Sequence, residues 1–142
     1  MEFSDGEEKW SMASLCIYSK EINAQDISKI LKASPSYSRE LGVPVSGRNI
    51  HSMLTEEACW FLDSVLMESD PLEEHIKSLL SFIEQHSESF QTLKKDCLIE
   101  IRCAFSSENG QGGFVMDSCL IKKLADISVD LVVMLYPPEG GL

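Results

Sequence analysis

Long apolar runs are absent from the sequence, and basic residues are scarce. No stretch approaches the roughly 20 apolar residues that cross a bilayer, so we expect no transmembrane helix. Twelve Lys and Arg stand against twenty-three Asp and Glu, which gives a formal net charge of -11. Because this charge repels phosphate backbones and anionic lipids and attracts cationic surfaces, we expect a basic protein as partner, and neither nucleic acid nor membrane.

Motifs for metal binding and catalysis are also missing. The chain has no Cys-x-x-Cys, no His-Glu-x-x-His and no acidic calcium loop. Its five cysteines are an odd number and lie in apolar segments, which favours free buried thiols in a reducing compartment. No local sequence signature around them supplies the base or the electropositive setting that a nucleophilic thiol requires. We therefore expect a binding protein without cofactor, metal or enzymatic activity.

The amino-terminal end is acidic and lacks the basic and apolar regions of a signal peptide, so the expected location is the cytoplasm. Residues 1–11 are expected to be flexible. Residues 12–138 are expected to form a single α+β domain, because a chain of 142 residues can bury one independent core.

Periodicity and turn signals predict five strands and three helices. The strands are expected at Ala13–Tyr18, Ala58–Ser64, 97–105, Phe114–Met116 and Val129–Tyr136. The helices are expected to begin at a capping box on Asn23, at Asp70-Pro71, and at Asp117 or Ser118. The segment 34–57 lacks periodicity and is predicted to be a long functional or mobile loop.

These elements predict an α+β fold with a mainly antiparallel five-stranded sheet and about three helices packed on one face. From residue 58 onward the order is ferredoxin-like: strand, helix, strand, strand, helix, strand. The nearly continuous apolar run Val129–Tyr136 predicts a central strand. In the second helix, Leu72, Ile76, Leu79, Leu80 and Ile83 are expected to form a buried stripe, and in the last helix Leu120, Ile121 and Leu124 are expected to face inward.

Acidic residues are concentrated between positions 63 and 88, where seven carboxylates face Lys77 alone and the local charge is -6. Two interpretations remain open: a solvated helix face, with Glu73 and Lys77 paired at i,i+4, or a docking surface for a basic protein. In the second, Trp60 would be the aromatic anchor and the preceding loop would contribute Arg48. The candidate partner-binding residues are Arg48, Trp60, Asp63, Glu68, Asp70, Glu73, Glu74, Lys77 and Glu84.

The order of several short motifs resembles a known family. These motifs are the opening run Ala13–Ile17, the helix start Asn23–Ile27, the run Leu72-Glu73-Glu74-His75 and the late pair Leu124-Ala125. Together they resemble the bacterial family of domain of unknown function 4279 over about residues 13–136. The resemblance implies a small bacterial cytoplasmic domain with no established catalytic residues. In size and acidity, such domains are similar to immunity proteins that neutralise toxins.

Two functional hypotheses follow. The first is an immunity protein that neutralises a basic, nuclease-like toxin by direct binding, because an acidic surface complements the positive charge of a phosphate-binding site. The alternative is a small-molecule-binding or regulatory domain that uses the open face of the sheet.

Overall fold

The computed structural model describes residues 9–107 and 112–136, which form seven strands and four helices. In chain order these are β1 (Lys9–Ser19), α1 (Ala24–Leu31), β2 (Tyr37–Arg39), β3 (Pro44–Ser46), β4 (Asn49–Leu54), β5 (Ala58–Asp63), α2 (Leu72–Gln85), α3 (Ser87–Leu93), β6 (Cys97–Ser107), α4 (Ser118–Asp126) and β7 (Asp130–Leu135). The sequence also predicts a turn at Asn109-Gly110 and an end of the last strand at Pro137-Pro138. Both of these, and most of the expected flexible amino terminus, lie outside the described residues.

The sheet is built around β1, which lies between β5 and β6 and is antiparallel to both. Its strand order is β2-β5-β1-β6-β7, and β7 runs parallel to β6. The predicted α+β class and the mainly antiparallel five-stranded sheet are confirmed, with four helices instead of about three. The first strand begins at Lys9, four residues earlier than the predicted Ala13.

All four helices contribute to one hydrophobic core on one side of the sheet. Alternate residues of β1, among them Leu15 and Ile17, point into this core, as a period of two requires. The predicted stripe of α2 is confirmed, because all five of its side chains are at most 2% exposed. Each large aliphatic side chain buried in this way stabilises the fold by about 1.5–3 kcal/mol.

The start of α1 is capped by a residue distant in sequence, Glu40, and not by its own N-cap residue. Asn23 occupies the N-cap position, but its side chain makes no capping hydrogen bond, so the predicted capping box does not form. Its Oδ1 instead accepts a hydrogen bond from the backbone N–H of Leu41 at 2.9 Å. The Glu40 carboxylate accepts from the N–H groups of Ala24 and Gln25 at 3.1 and 3.0 Å, where the helix dipole also favours negative charge.

The segment 34–57 contains more regular structure than predicted. β2 adds to the edge of the sheet beside β5, and β3 and β4 form a separate two-stranded hairpin, here called the hairpin. β2 and β3 have only three residues each, which is too short to show a period of two, and five of the six residues of β4 are exposed. The expectation of an irregular loop is therefore wrong for this segment.

The carboxyl-terminal part also differs from the prediction. Residues 112–117 form no strand, so Phe114–Met116 is not a β-strand and the ferredoxin-like order is not matched. With one helix between them, β6 and β7 run parallel, and β7 lies at the sheet edge, not in its centre.

The inner face of α4 is only partly as predicted. Ile121 is 52% exposed, whereas Leu120 and Leu124 are buried as expected. The Asp117 side chain caps α4 by accepting from the Leu120 N–H at 2.8 Å.

Replacing Glu40 tests the long-range cap. Glu40→Ala should lower the free energy of unfolding by about 1 kcal/mol, within the range of about 0.5–2 kcal/mol for a lost helix cap. The measurement is urea denaturation followed by circular dichroism. Glu21→Ala is the matched control, because Glu21 is an exposed acid two residues before the N-cap. Equal losses for both variants would contradict the capping role.

Candidate functional site

The side of the sheet opposite the helices, here called the open face, carries the other half of the strand residues. Strand register places Tyr37, Phe61, Cys16 and Glu100 in one row across four strands. The adjacent row contains Arg39, Cys59, Tyr18 and Leu98. In the described part of the chain, no helix contributes its buried residues to this side.

Aromatic rings form two groups at opposite ends of the open face. The ring centroid of Phe61 lies 5.5 Å from that of Tyr18, edge to face, and 5.5 Å from that of Tyr37. At the far end of β1, Trp10 and Tyr136 are a further pair at 5.6 Å. Such pairs stabilise a surface by about 0.5–1.5 kcal/mol beyond area burial, so the rings are held in fixed positions.

Polar groups between the rings are paired with one another. Arg102 Nε lies 3.1 Å from Glu100 Oε1, and Ser14 Oγ donates to Asp63 Oδ1 at 2.5 Å. Cys16 lies beneath them, 1% exposed, and burial raises the pKa of its thiol to about 11. Burial also raises the pKa of the Tyr18 hydroxyl. The middle of the open face therefore carries one internal ion pair, and Arg39, Asp63 and Asp130 place further charges towards its rim.

The predicted acidic cluster divides into two parts. Asp63, Glu68, Asp70, Glu73 and Glu74 lie at the end of β5, in the connection to α2 and in its first turn. Residues 63–74, here called the acidic segment, contain no Lys or Arg. Glu84 lies eleven residues after Glu73 on the same helix, roughly 16 Å away at 1.5 Å per residue, and faces Lys123 at 3.7 Å.

Several of these carboxylates have local partners. Glu73 Oε2 accepts from the Val115 N–H at 2.7 Å, and Asp70 Oδ2 accepts from the Met67 N–H at 2.9 Å. Lys77 pairs with Glu74 at 3.6 Å, so the expected i,i+4 pair with Glu73 is replaced by an i,i+3 pair. Glu68 and Glu74 are exposed.

Two candidate residues lie apart from the acidic segment. Trp60 is 0% exposed, and its Nε1 donates to Ser28 Oγ at 2.9 Å in the core. Its expected role as an interface anchor is therefore wrong, because β5 turns this residue towards the helices. Arg48 is exposed between β3 and β4, where its N–H donates to Ser46 Oγ.

A buried serine–histidine pair joins the acidic segment to α2. His75 Nδ1 is hydrogen-bonded to Ser64 Oγ, and Nε2 lies 3.0 Å from the carbonyl oxygen of Met67. The ring is only 1% exposed. Held on both nitrogens and closed to solvent, His75 fixes the connection between β5 and α2.

Sequence reasoning missed the most informative residues, which are the two aromatic groups of the open face and Arg39. Arg39 ends β2, and its Nη2 donates to the Glu57 carbonyl oxygen at 3.4 Å and lies 3.3 Å from Cys59 Sγ. The sequence did contain a signal for the open face, because Trp10, Met12 and Tyr18 are separated by even numbers of positions and therefore lie on the same side of β1. Arg39 had no comparable signal, since β2 was expected to be loop.

Metal-binding clusters and helices that could span a membrane are both absent from residues 9–107 and 112–136. Within these ranges, no group of three or more His, Cys, Asp or Glu side chains is arranged to hold a metal ion. None of the helices there is both long and apolar enough to span a bilayer.

The chain belongs to the family described as Domain of unknown function (DUF4279), whose profile matches residues 8–138. The resemblance inferred from the sequence motifs is therefore confirmed over nearly the whole chain. Comparison with curated proteins found no match, and neither did comparison with solved structures.

The buried thiols predict a loss of stability at alkaline pH. Burial raises the pKa of Cys16 to about 11 and that of Cys103 to about 12, from an ordinary value of 9.0. Above pH 9 the unfolded chain loses these protons while the folded chain keeps them. The free energy of unfolding should therefore fall with pH, by up to about 1.4 kcal/mol per pH unit for each thiol.

Urea denaturation between pH 8 and 11 under reducing conditions measures this slope. The double variant Cys16→Ala/Cys103→Ala should show a shallower slope. Cys119→Ser is the control, since Cys119 is exposed and its replacement should leave the slope unchanged. An unaltered slope in the double variant would contradict the assignment.

Proposed function

We propose that this chain is a non-enzymatic binding protein that neutralises a toxin with a basic surface, such as a nuclease, by covering that surface. One observation carries the proposal: an aromatic sheet face without a described helix over it is bordered by a segment that contains acids and no bases. Asp63 belongs to both, since it lies on the open face at the start of the acidic segment.

The open face has the composition of an interface core. Tyr37 and Leu98 are 54% and 56% exposed. Further along the face, Met12 and Met134 lie on either side of Ala104 and are 40% and 36% exposed. Tyrosine and methionine are enriched at protein interfaces, and aromatic residues in fixed positions lose little conformational entropy on binding. The ion pair of Glu100 and Arg102 lies between these side chains and offers hydrogen bonds at the centre.

The acidic segment supplies selectivity for a basic partner. Five carboxylates within twelve residues, on a chain of net charge -11, create a negative potential at one end of the sheet. Complementary potentials raise association rates and disfavour acidic competitors more than they raise affinity. The open face would then supply most of the binding energy, and the acidic segment would guide the encounter.

Co-expression tests the function directly. A toxin encoded beside this chain should arrest growth alone and be tolerated when the chain is co-expressed, and the two should co-purify at low salt. Leu98→Asp, on the open face, should weaken the complex by about tenfold or more, as for a residue in an interface core.

Ile121→Asp is the matched control, because Ile121 is 52% exposed but lies on α4, in the helix layer. Growth arrest despite co-expression, with no complex at low salt, would overturn the proposed function. If the two substitutions weaken the complex equally, the open face is not the binding surface for the toxin.

Charge reversal tests the acidic segment. Glu68→Lys/Glu74→Lys leaves in place the carboxylates of Asp70 and Glu73, which accept backbone hydrogen bonds. The double variant should slow association with the toxin at low salt and have a smaller effect at high salt, because salt screens exposed charges beyond about 10 Å at 0.1 M. Stopped-flow or surface plasmon resonance gives the rates. Unchanged association rates at every salt concentration would assign the segment to the solvated-face interpretation.

A further inference from the structure

A groove opens between the hairpin and the end of the sheet. Its volume is about 690 Å³, and its walls include Lys20, Arg39, Met53 and Glu57. Ligand sites in proteins typically measure about 300–1,000 Å³, so the groove has the size for a small molecule. It lies at the opposite end of β5 from the acidic segment and borders the open face at Arg39.

Arg39 enters this groove without a carboxylate partner. The ion pairs among the described residues include neither Arg39 nor Lys20. Arg39 Nη2 is bonded only to a carbonyl oxygen and a thiol sulfur, and Nε is buried with no hydrogen-bond acceptor. A guanidinium that is partly removed from water normally has an anion beside it, since the desolvation of the charge is otherwise uncompensated.

The hairpin contributes apolar side chains to the groove. Val45, Met53 and Leu54 of the hairpin line it and are 63%, 77% and 57% exposed. A site with an apolar wall and one convergent charged group selects ligands that have both an aliphatic body and a charged end.

We infer that the groove binds a small monocarboxylate with an aliphatic body, held at the carboxylate by Arg39. The planar guanidinium matches a carboxylate, and charge-assisted hydrogen bonds of this kind are the strong ones. Lys20 adds a second positive charge to the wall. Glu56 and Glu57 also line the groove, and their repulsion disfavours a dianion. The aliphatic body contacts Val45, Met53 and Leu54.

Titration with two probes of the same shape and opposite charge tests the inference. In proton–nitrogen correlation spectra, 4-methylpentanoate should shift the amides of residues 52–57 saturably, and 4-methylpentan-1-amine should not. Arg39→Gln should weaken binding of 4-methylpentanoate by roughly ten- to a hundredfold, the range expected for hydrogen bonds to a charged group.

Arg48→Gln is the matched control, because Arg48 is an exposed arginine on the same hairpin that does not line the groove, and binding should be unchanged. Met53→Glu provides a second route if Arg39→Gln does not fold, since Met53 is highly exposed and a carboxylate there repels the ligand. Circular dichroism verifies the fold of each variant. Equal binding of both probes, binding of neither, or wild-type affinity in Met53→Glu would overturn the inference.

Discussion

The register of β1 is the constraint on which the other features depend. This strand pairs with β6 along its full length and with β5 over six positions, so every second residue is assigned to one side of the sheet. A slip of one residue would place Cys16 and Tyr18 among the helices and expose Leu15 and Ile17. Such a slip is unfavourable because it would expose the large apolar side chains of the core side. The fixed register therefore also determines which residues of β1 lie on the open face.

The division of the molecule into a helix layer and an open face explains how a strongly acidic chain can present an apolar surface. Most of the acidic segment lies beyond the end of β5 and at the start of α2, so its charge borders the open face instead of interrupting it. Glu100 on the face is neutralised by Arg102. Binding through this face and guidance by the acidic segment are therefore compatible within one small domain.

The sequence allowed the α+β class, the α2 stripe and the family to be predicted, because long periodic segments carry their own signal. The position of β7 could not be predicted in this way. Its apolar run suggested burial on both faces, but the sheet ends there and leaves Leu135 exposed. Trp60 was misplaced for a related reason, since a strand of mostly apolar residues does not reveal which side faces the core. Arg39 depended on the pairing of β2 with β5, a long-range contact without a local pattern.

The connection through Glu40 links the hairpin to the helix layer. Its side chain holds the first amides of α1, and its carbonyl oxygen accepts from Thr55 Oγ1 at 2.7 Å, at the end of the hairpin. One residue thus connects the start of α1 to the base of the hairpin. Opening of the hairpin base would expose the Ala24 and Gln25 amides to solvent, so their hydrogen exchange is thermodynamically coupled to the conformation of the groove.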